Sequence, residues 1–322
     1  MSKRIIILGV VVVLVVLAWS GAWLFLAGQV RQQVEALALA DGETAPQLTC
    51  GDLSVGGYPF RFDLDCTDAV LVAADVMAEM PELRASVMVY RPNHILAWAK
   101  GPLELSDAFT GQRSALEWTG MEASLRIEDW RVARFSLIAD APTWTDRLFE
   151  HQIAKADHVE FHLLDIPEAH DADRHLAALA NYASARGVEA PGLGLTGGEA
   201  ELEAEISALP DDIRTLGAEP LLPAWQRNGG VLTLTRLHAT DATADLEATG
   251  HIALDEQGFP NGTIEITSSG VAERIGPLIE EPWRTLVLGV PGEDGRHKNQ
   301  INLRGGTLSS GLVPIATVPS LF

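Results

Sequence analysis

Residues 197–207 read GGEAELEAEIS: Ala200, Leu202, Ala204 and Ile206 alternate with Glu199, Glu201, Glu203 and Glu205. A period of two, dry on one side and charged on the other, marks a strand of an antiparallel sheet with one covered and one solvated face. The same pattern recurs on both sides of this stretch. Upstream, Leu83, Ala85, Val87 and Val89 share one side of a segment, as do Ala133, Phe135 and Leu137 of another. Downstream, Leu246, Ala248, Ile252 and Leu254 alternate with Asp245, Glu247 and Thr249, and Ile264 and Ile266 follow the turn-forming DEQGFPNG. The predicted fold is mainly β: a mostly antiparallel, elongated sheet with a few helical insertions, preceded by an N-terminal transmembrane helix.

That helix is read from the run Ile5–Leu26, which contains no charge. Twenty-two residues rising 1.5 Å each cover about 33 Å, the hydrocarbon thickness of a bilayer. Lys3 and Arg4 precede the run and favour a cytoplasmic N-terminus, while Trp19, Trp23 and Phe25 gather at the end suited to the outer interface. A cleaved signal peptide is the competing reading, kept open by Ala27 and Gly28. The run is longer than a typical signal core, and no small-x-small site follows it closely. The expected organisation is a cytoplasmic tip at 1–4, a transmembrane helix at 5–26, a stalk helix or linker at 27–45, and a β-rich periplasmic domain at 46–322. The helical spacing of QVRQQVEALALA (29–40) supports the stalk.

The only two cysteines, Cys50 and Cys66, flank CGDLSVGGYPFRFDLDC (50–66). In an oxidising compartment two cysteines in one hairpin read as a structural disulfide. Phe60, Phe62, Leu64 and Cys66 form one apolar side of the second arm. In the first arm the apolar parity changes between Cys50 and Leu53, so a one-residue bulge at Gly51–Asp52 is expected, leaving Cys50 opposite Cys66. A two-residue tip, Tyr58–Pro59, requires a cis bond. A longer loop with a trans bond fits the sequence equally.

Lys3 and Arg4 are the only charged residues before residue 27, so the remaining chain carries a formal charge of −23 against −21 for the whole. Such a surface disfavours nucleic acid and anionic headgroups. Two segments read as helical: 171–187 (DADRHLAALANYASARG), with an Asp cap, alanine-rich body and terminal glycine, and 271–289, broken by Pro277 and Pro282. Residues 209–229 read as a connector with one turn of helix.

Four blocks carry a family resemblance: residues 50–66, VYRPNHILAWAKGPLEL (89–105), ATGHIALDEQGFPNGTIEI (248–266) and the tail GGTLSSGLVPIATVPSLF (305–322). Together they resemble a family of Gram-negative envelope proteins catalogued as domain of unknown function 2125, in order from about residue 48 to the C-terminus. The last two blocks look more distantly like β-rich AsmA-like envelope proteins, some of which accommodate lipids in an apolar groove. The resemblance implies an envelope location and supplies no catalytic residues.

For chemistry, His158, Glu160 and His162 share one strand side and have the donor types of a zinc site, although a solvated strand face produces the same pattern more often. His170, Asp171, Asp173 and His175 form a second cluster whose acids suit a helix start. Motifs for a serine nucleophile, a Walker loop, a dinucleotide site or a zincin are missing. Gly194–Gly198 is a glycine-rich turn before a strand; Asn261-Gly262-Thr263 matches a glycosylation acceptor but reads more simply as a turn. No enzyme, cofactor or metal is therefore expected. The expected partners are the inner membrane, an apolar ligand such as an acyl chain, or envelope proteins. Candidate lining residues are Phe60, Phe62, Leu64, Ile95, Trp98, Trp118, Leu202 and Ile206. The sequence leaves open whether the tail LVPIATVPSLF closes the sheet or reaches a partner.

Overall fold

The computed structural model describes residues 2–43, 46–215, 220–276, 279–280, 283–311 and 313–322. The chain divides into two compact units, Met1–Leu116 and Glu117–Phe322.

The first unit begins with one uninterrupted helix, α1 (Ser2–Leu37). It is long and apolar enough to cross a membrane, with a mean hydropathy of 2.8 over its most apolar window, and it continues into the expected stalk, ending at Leu37. A sheet follows: β1 (Gln47–Thr49), β2 (Asp52–Gly56), β3 (Arg61–Ala73), β4 (Val76–Met88), β5 (Arg91–Lys100), β6 (Leu103–Asp107) and β7 (Arg113–Glu117), which ends at the boundary. β1 and β2 pair with successive parts of β3, which pairs with β4. The two halves of β4 then pair with β5 and β6, on either side of Pro81. Proline has no N–H to donate, so it sits where the partner strand changes.

The Tyr58–Pro59 bond is cis, and so is Gly101–Pro102. The hairpin tip is one residue longer than the two-residue alternative: the Arg61 N–H donates to the Gly57 carbonyl at 3.1 Å, enclosing Tyr58–Phe60. The expected one-strand bulge is instead a paired break. The register runs unshifted from Thr49↔Val70 to Asp52↔Thr67, with Gly51 facing Asp68, whose φ is 48°. Both strands change parity together there, so the buried side of β3 passes from Cys66 to Ala69. Leu53, rather than Cys50, is therefore the ladder partner of Cys66. The break brings the Cys50 Cα within 5.3 Å of the Cys66 Cα, and the disulfide forms.

The second unit is a broad antiparallel sheet. Its strands are β8 (Gly120–Glu128), β9 (Arg131–Asp140), β10 (Thr143–Asp146), β11 (His151–Lys155), β12 (His158–Asp165), β13 (Leu176–Ala190), β14 (Leu195–Pro210), β15 (Val231–Thr240), β16 (Asp245–Leu254), β17 (Pro260–Ser269), β18 (Val290–Pro291), β19 (His297–Arg304), β20 (Thr307–Ser310) and β21 (Val313–Thr317). The main ladder runs β8–β9–β12–β13–β14–β15–β16–β17–β19–β20–β21. Among the described residues it carries three short α-helices: α2 (Leu221–Arg227), α3 (Val271–Ile275) and α4 (Trp283–Leu288). α2 lies within the expected connector. α3 and α4 are the two halves of the broken helix, and Pro277 and Pro282 lie outside the described residues.

The helix expected over 171–187 is overturned. Residues from Leu176 onward form β13, a strand paired on both sides, with β12 and β14. Alanine favours a helix by less than 1 kcal/mol per residue over most alternatives, and two flanking ladders outweigh that preference. Its small side chain also suits a crowded central strand: Ala177 and Ala178 are 5% and 2% exposed. Gly187 is a strand irregularity at φ 64° rather than a helix stop. Asp171 closes a turn instead of capping a helix; its backbone exchanges both hydrogen bonds with Leu176. The C-terminal tail closes the sheet edge as β20 and β21. Beyond it, the Leu321 N–H donates to the Gly258 carbonyl at 3.0 Å.

Candidate functional site

The register of the second unit assembles the alternating residues into rows. One row crosses β8 to β17 as Ala123, Leu137, Phe161, Ala183, Leu202, Leu237, Ala248 and Ile266. The neighbouring row runs Leu125, Phe135, Leu163, Asn181, Ala204, Leu234, Gly250 and Ile264. A register shift in β15 between Leu234 and Leu237 keeps both leucines on this side. At about 4.8 Å between strands, eight strands carry the apolar face across about 34 Å.

The large side chains of this face are half-buried. Leu137, Phe161, Leu202, Leu237 and Ile266 all keep solvent exposure, whereas Ala139, Ala204 and Ala248 on the same floor are 6%, 6% and 4% exposed. Short side chains shaded by taller neighbours whose tips reach water describe a face without a packed second layer. In a sandwich core the tall residues would be the buried ones. Among the described residues, Cys66 is the only side chain larger than alanine that falls below 2% exposure.

The opposite face is polar. Glu199, Glu201, Glu203 and Glu205 are all exposed along β14. On β12, Glu160 bridges two imidazoles: its Oε1 lies 3.0 Å from Nε2 of His158 and its Oε2 lies 3.0 Å from Nε2 of His162. Nδ1 of His158 meets Asp140 at 2.7 Å, and Nδ1 of His162 meets the Ser136 hydroxyl at 2.9 Å. The Asp140 and Glu160 bonds raise the pKa of His158, with Asp140 dominant, while His162 and then His158 lower that of Glu160. All four ring nitrogens are hydrogen-bonded within this chain. Among the described residues no group of three or more His, Cys, Asp or Glu is arranged to hold a metal. In the second cluster, His170 Nε2 pairs with Asp165 at 2.6 Å, and His175 is 83% exposed beside Asp211. Asn261–Thr263, expected as a turn, instead lie in β17, which begins at Pro260 and pairs there with β16; the Asn261 amide donates to Asp255 at 3.0 Å.

Of the candidate lining residues, Leu202 and Ile206 lie on the apolar face of the second unit. Phe62, Leu64 and Ile95 lie on the apolar side of the first, where Phe62 and Ile95 both face Val87. Three others lie elsewhere. Trp98 is opposite Arg84, itself opposite Asp65, on the charged side, and it lines an open depression of about 690 Å³ with Lys100 and Glu82. Trp118 sits in the connector between β7 and β8. Phe60 is at the hairpin tip, 63% exposed.

The tip makes contacts that the sequence reading missed. Trp23 of α1 stacks on Phe62, ring centroids 5.5 Å apart and planes 8° from parallel, and meets Tyr58 edge-on. Its indole N–H donates to the Arg61 carbonyl at 3.1 Å, and that of Trp19 to the Pro59 carbonyl at 3.0 Å. Ser20 and Tyr58 share a hydroxyl bond of 2.8 Å. The packed stripe of α1 is Ser20, Trp23, Ala27, Val30 and Val34. This is spacing of three and four, the period of a helix face. Ser20 and Trp23 fall within the uniformly apolar or small run Ile5–Leu26, which hides their part of the stripe, while Val30 and Val34 stand out among polar residues beyond it.

No curated protein and no solved structure matches this chain. A family model does, over residues 23–319, and its description is an uncharacterized protein conserved in bacteria, DUF2125. With that match covering the whole chain except the first part of α1 and the last three residues, the protein belongs to the DUF2125 family.

Proposed function

We propose that this is a membrane-tethered, non-enzymatic envelope protein that shelters an acyl chain on the apolar face of the Glu117–Phe322 unit. In this reading the N-terminus is cytoplasmic and the sheets are periplasmic, in keeping with Lys3 and Arg4 before the span and a disulfide after it. The observation that carries the proposal is the half-burial of Leu137, Phe161, Leu202, Leu237 and Ile266 along one continuous row. Exposed contiguous apolar surface of this extent marks a binding face. A tether to the bilayer supplies acyl chains at high local concentration.

The test is a photo-crosslinking amino acid placed at Leu202 or at Glu203 of the full chain, in native membranes. Lipid adducts at Leu202 and none at Glu203 are expected; equal yields, or none at Leu202, contradict the proposal. The exposed acidic stripe of β14 favours a second reading, a scaffold for protein partners. Under that reading the crosslinker at Glu203 captures a defined protein neighbour, and Leu202 captures no lipid.

A further inference from the structure

Residues 3–18 of α1 are all exposed, and contact with the sheet begins at Trp19, whose indole N–H reaches the Pro59 carbonyl. The uncovered apolar part, Ile5–Ala18, is 14 residues long, or about 21 Å of helix. A bilayer core is about 30 Å thick. If α1 spans, the missing length of about 9 Å must come from the segment already covered by the hairpin. The hairpin tip then lies inside the leaflet from which α1 emerges.

We infer that the Tyr58–Phe60 tip, together with the neighbouring turn at Tyr90, is a second membrane contact that enters the acyl–headgroup boundary beside α1. This inference rests on the reading of α1 as membrane-spanning. The exposed side chains are of the right kind: Tyr58, Phe60 and Tyr90 are 50%, 63% and 69% exposed, and aromatic rings favour this layer. A loop at this depth must satisfy its own backbone. The Gly57 carbonyl accepts from the Arg61 N–H and the Phe60 carbonyl from the Val89 N–H at 2.9 Å. The Pro59 and Arg61 carbonyls are taken by the indoles of Trp19 and Trp23, and Pro59 has no N–H to satisfy. Just above the tip, Arg61, Met88 and Arg91 form one row across three strands. Two arginines, Arg91 and Arg61, the latter also paired with Asp63 at 2.7 Å, are thus placed at the height of the lipid phosphates in a chain that is otherwise strongly acidic. An interfacial element buried 5–10 Å deep matches the missing length.

The test places an environment-sensitive fluorophore on Phe60→Cys in the full, disulfide-intact chain, reconstituted in phosphatidylcholine–phosphatidylglycerol vesicles doped with nitroxide lipids. Phe109→Cys is the soluble control; it lies beyond the far end of β4, about 40 Å from the tip at 3.4 Å per residue. Val12→Cys reports the span. Blue-shifted emission and loss of intensity to shallow nitroxides at 60, deep quenching at 12 and neither at 109 are expected. Quenching at 12 with position 60 behaving like 109 overturns the tip contact while leaving the span intact. No quenching at 12 overturns both. Tyr90→Cys gives the same readout where Phe60→Cys does not form the Cys50–Cys66 bond.

Discussion

Trp23 of α1 and Phe62 of the disulfide hairpin lie ring on ring, 5.5 Å between centroids and 8° from parallel. This contact ties α1 to the sheet. Trp23 is 7% exposed, and its N–H reaches the Arg61 carbonyl, so it contributes both area and a hydrogen bond. Trp23→Ala should destabilise the first unit by about 3 kcal/mol. Trp23→Phe keeps the stack and loses only the donor, at a cost of about 1 kcal/mol. Thermal unfolding of the full chain in lipid nanodiscs should rank wild type, Phe, Ala in falling order; an unchanged Trp23→Ala would refute the tie.

The disulfide closes a loop with a sequence separation of 16. In the chain-entropy model, reduction removes about 3 kcal/mol. The paired break at Gly51 and Asp68 depends on the covalent bond to fix its register, because glycine-bearing strand ends slip easily. Dithiothreitol, or Cys50→Ser with Cys66→Ser, should lower the midpoint of the first unit, read by hydrogen exchange of β1–β3 amides. Unchanged exchange after reduction would contradict this.

Two groups, Asp241 and His158, make stability depend on pH in opposite directions. Asp241 accepts the Thr243 N–H at 2.8 Å and pairs with Arg274 at 2.5 Å while only 3% exposed; the Thr243 bond leads in holding its carboxyl at about 2 against 3.8. A depressed carboxyl contributes stability above its free value and loses it as pH falls through the depressed one. Here that contribution is about 2 kcal/mol. Asp241→Asn should therefore flatten the acid limb between pH 4 and 2.

His158 has the opposite sign. Its raised value means that its support is complete below 6.5 and fades as pH rises through the folded value. Glu160 supports the fold above 4.5 and fades in acid. His158→Gln should remove the alkaline decline expected of the wild type in a pH series of unfolding midpoints; identical profiles would dismiss the cluster as a contributor.

Strand-rich architecture was readable wherever polar and apolar residues alternate strictly, as in 197–207, and the hairpin turn was legible from Gly-Gly-Tyr-Pro. Residues 171–187 misled because alanine alternates invisibly: nothing in Ala-Ala-Leu-Ala-Asn distinguishes two faces, and local propensity prevailed until the flanking ladders were known. Trp98 misled for a related reason. Ile95, Leu96, Ala97 and Trp98 are apolar at both parities, so only the register against Arg84 assigns Trp98 to the charged side. The contact of α1 with the hairpin was masked by uniform apolarity. Sheet rows such as Leu137–Phe161–Ala183–Leu202 depend on which strands are neighbours, and that information is absent from any single segment.

The central claim is that the apolar face of the second unit is open and takes an acyl chain. The most direct measurement is the mobility and water accessibility of a nitroxide on Ile206→Cys, with Glu205→Cys as its opposite-face control, in the full chain in nanodiscs as oleate is added. The account predicts that the label at 206 becomes immobile and shielded while that at 205 stays mobile and wet. A label at 206 that is already buried and motionless without oleate, or unchanged by it, would contradict the account.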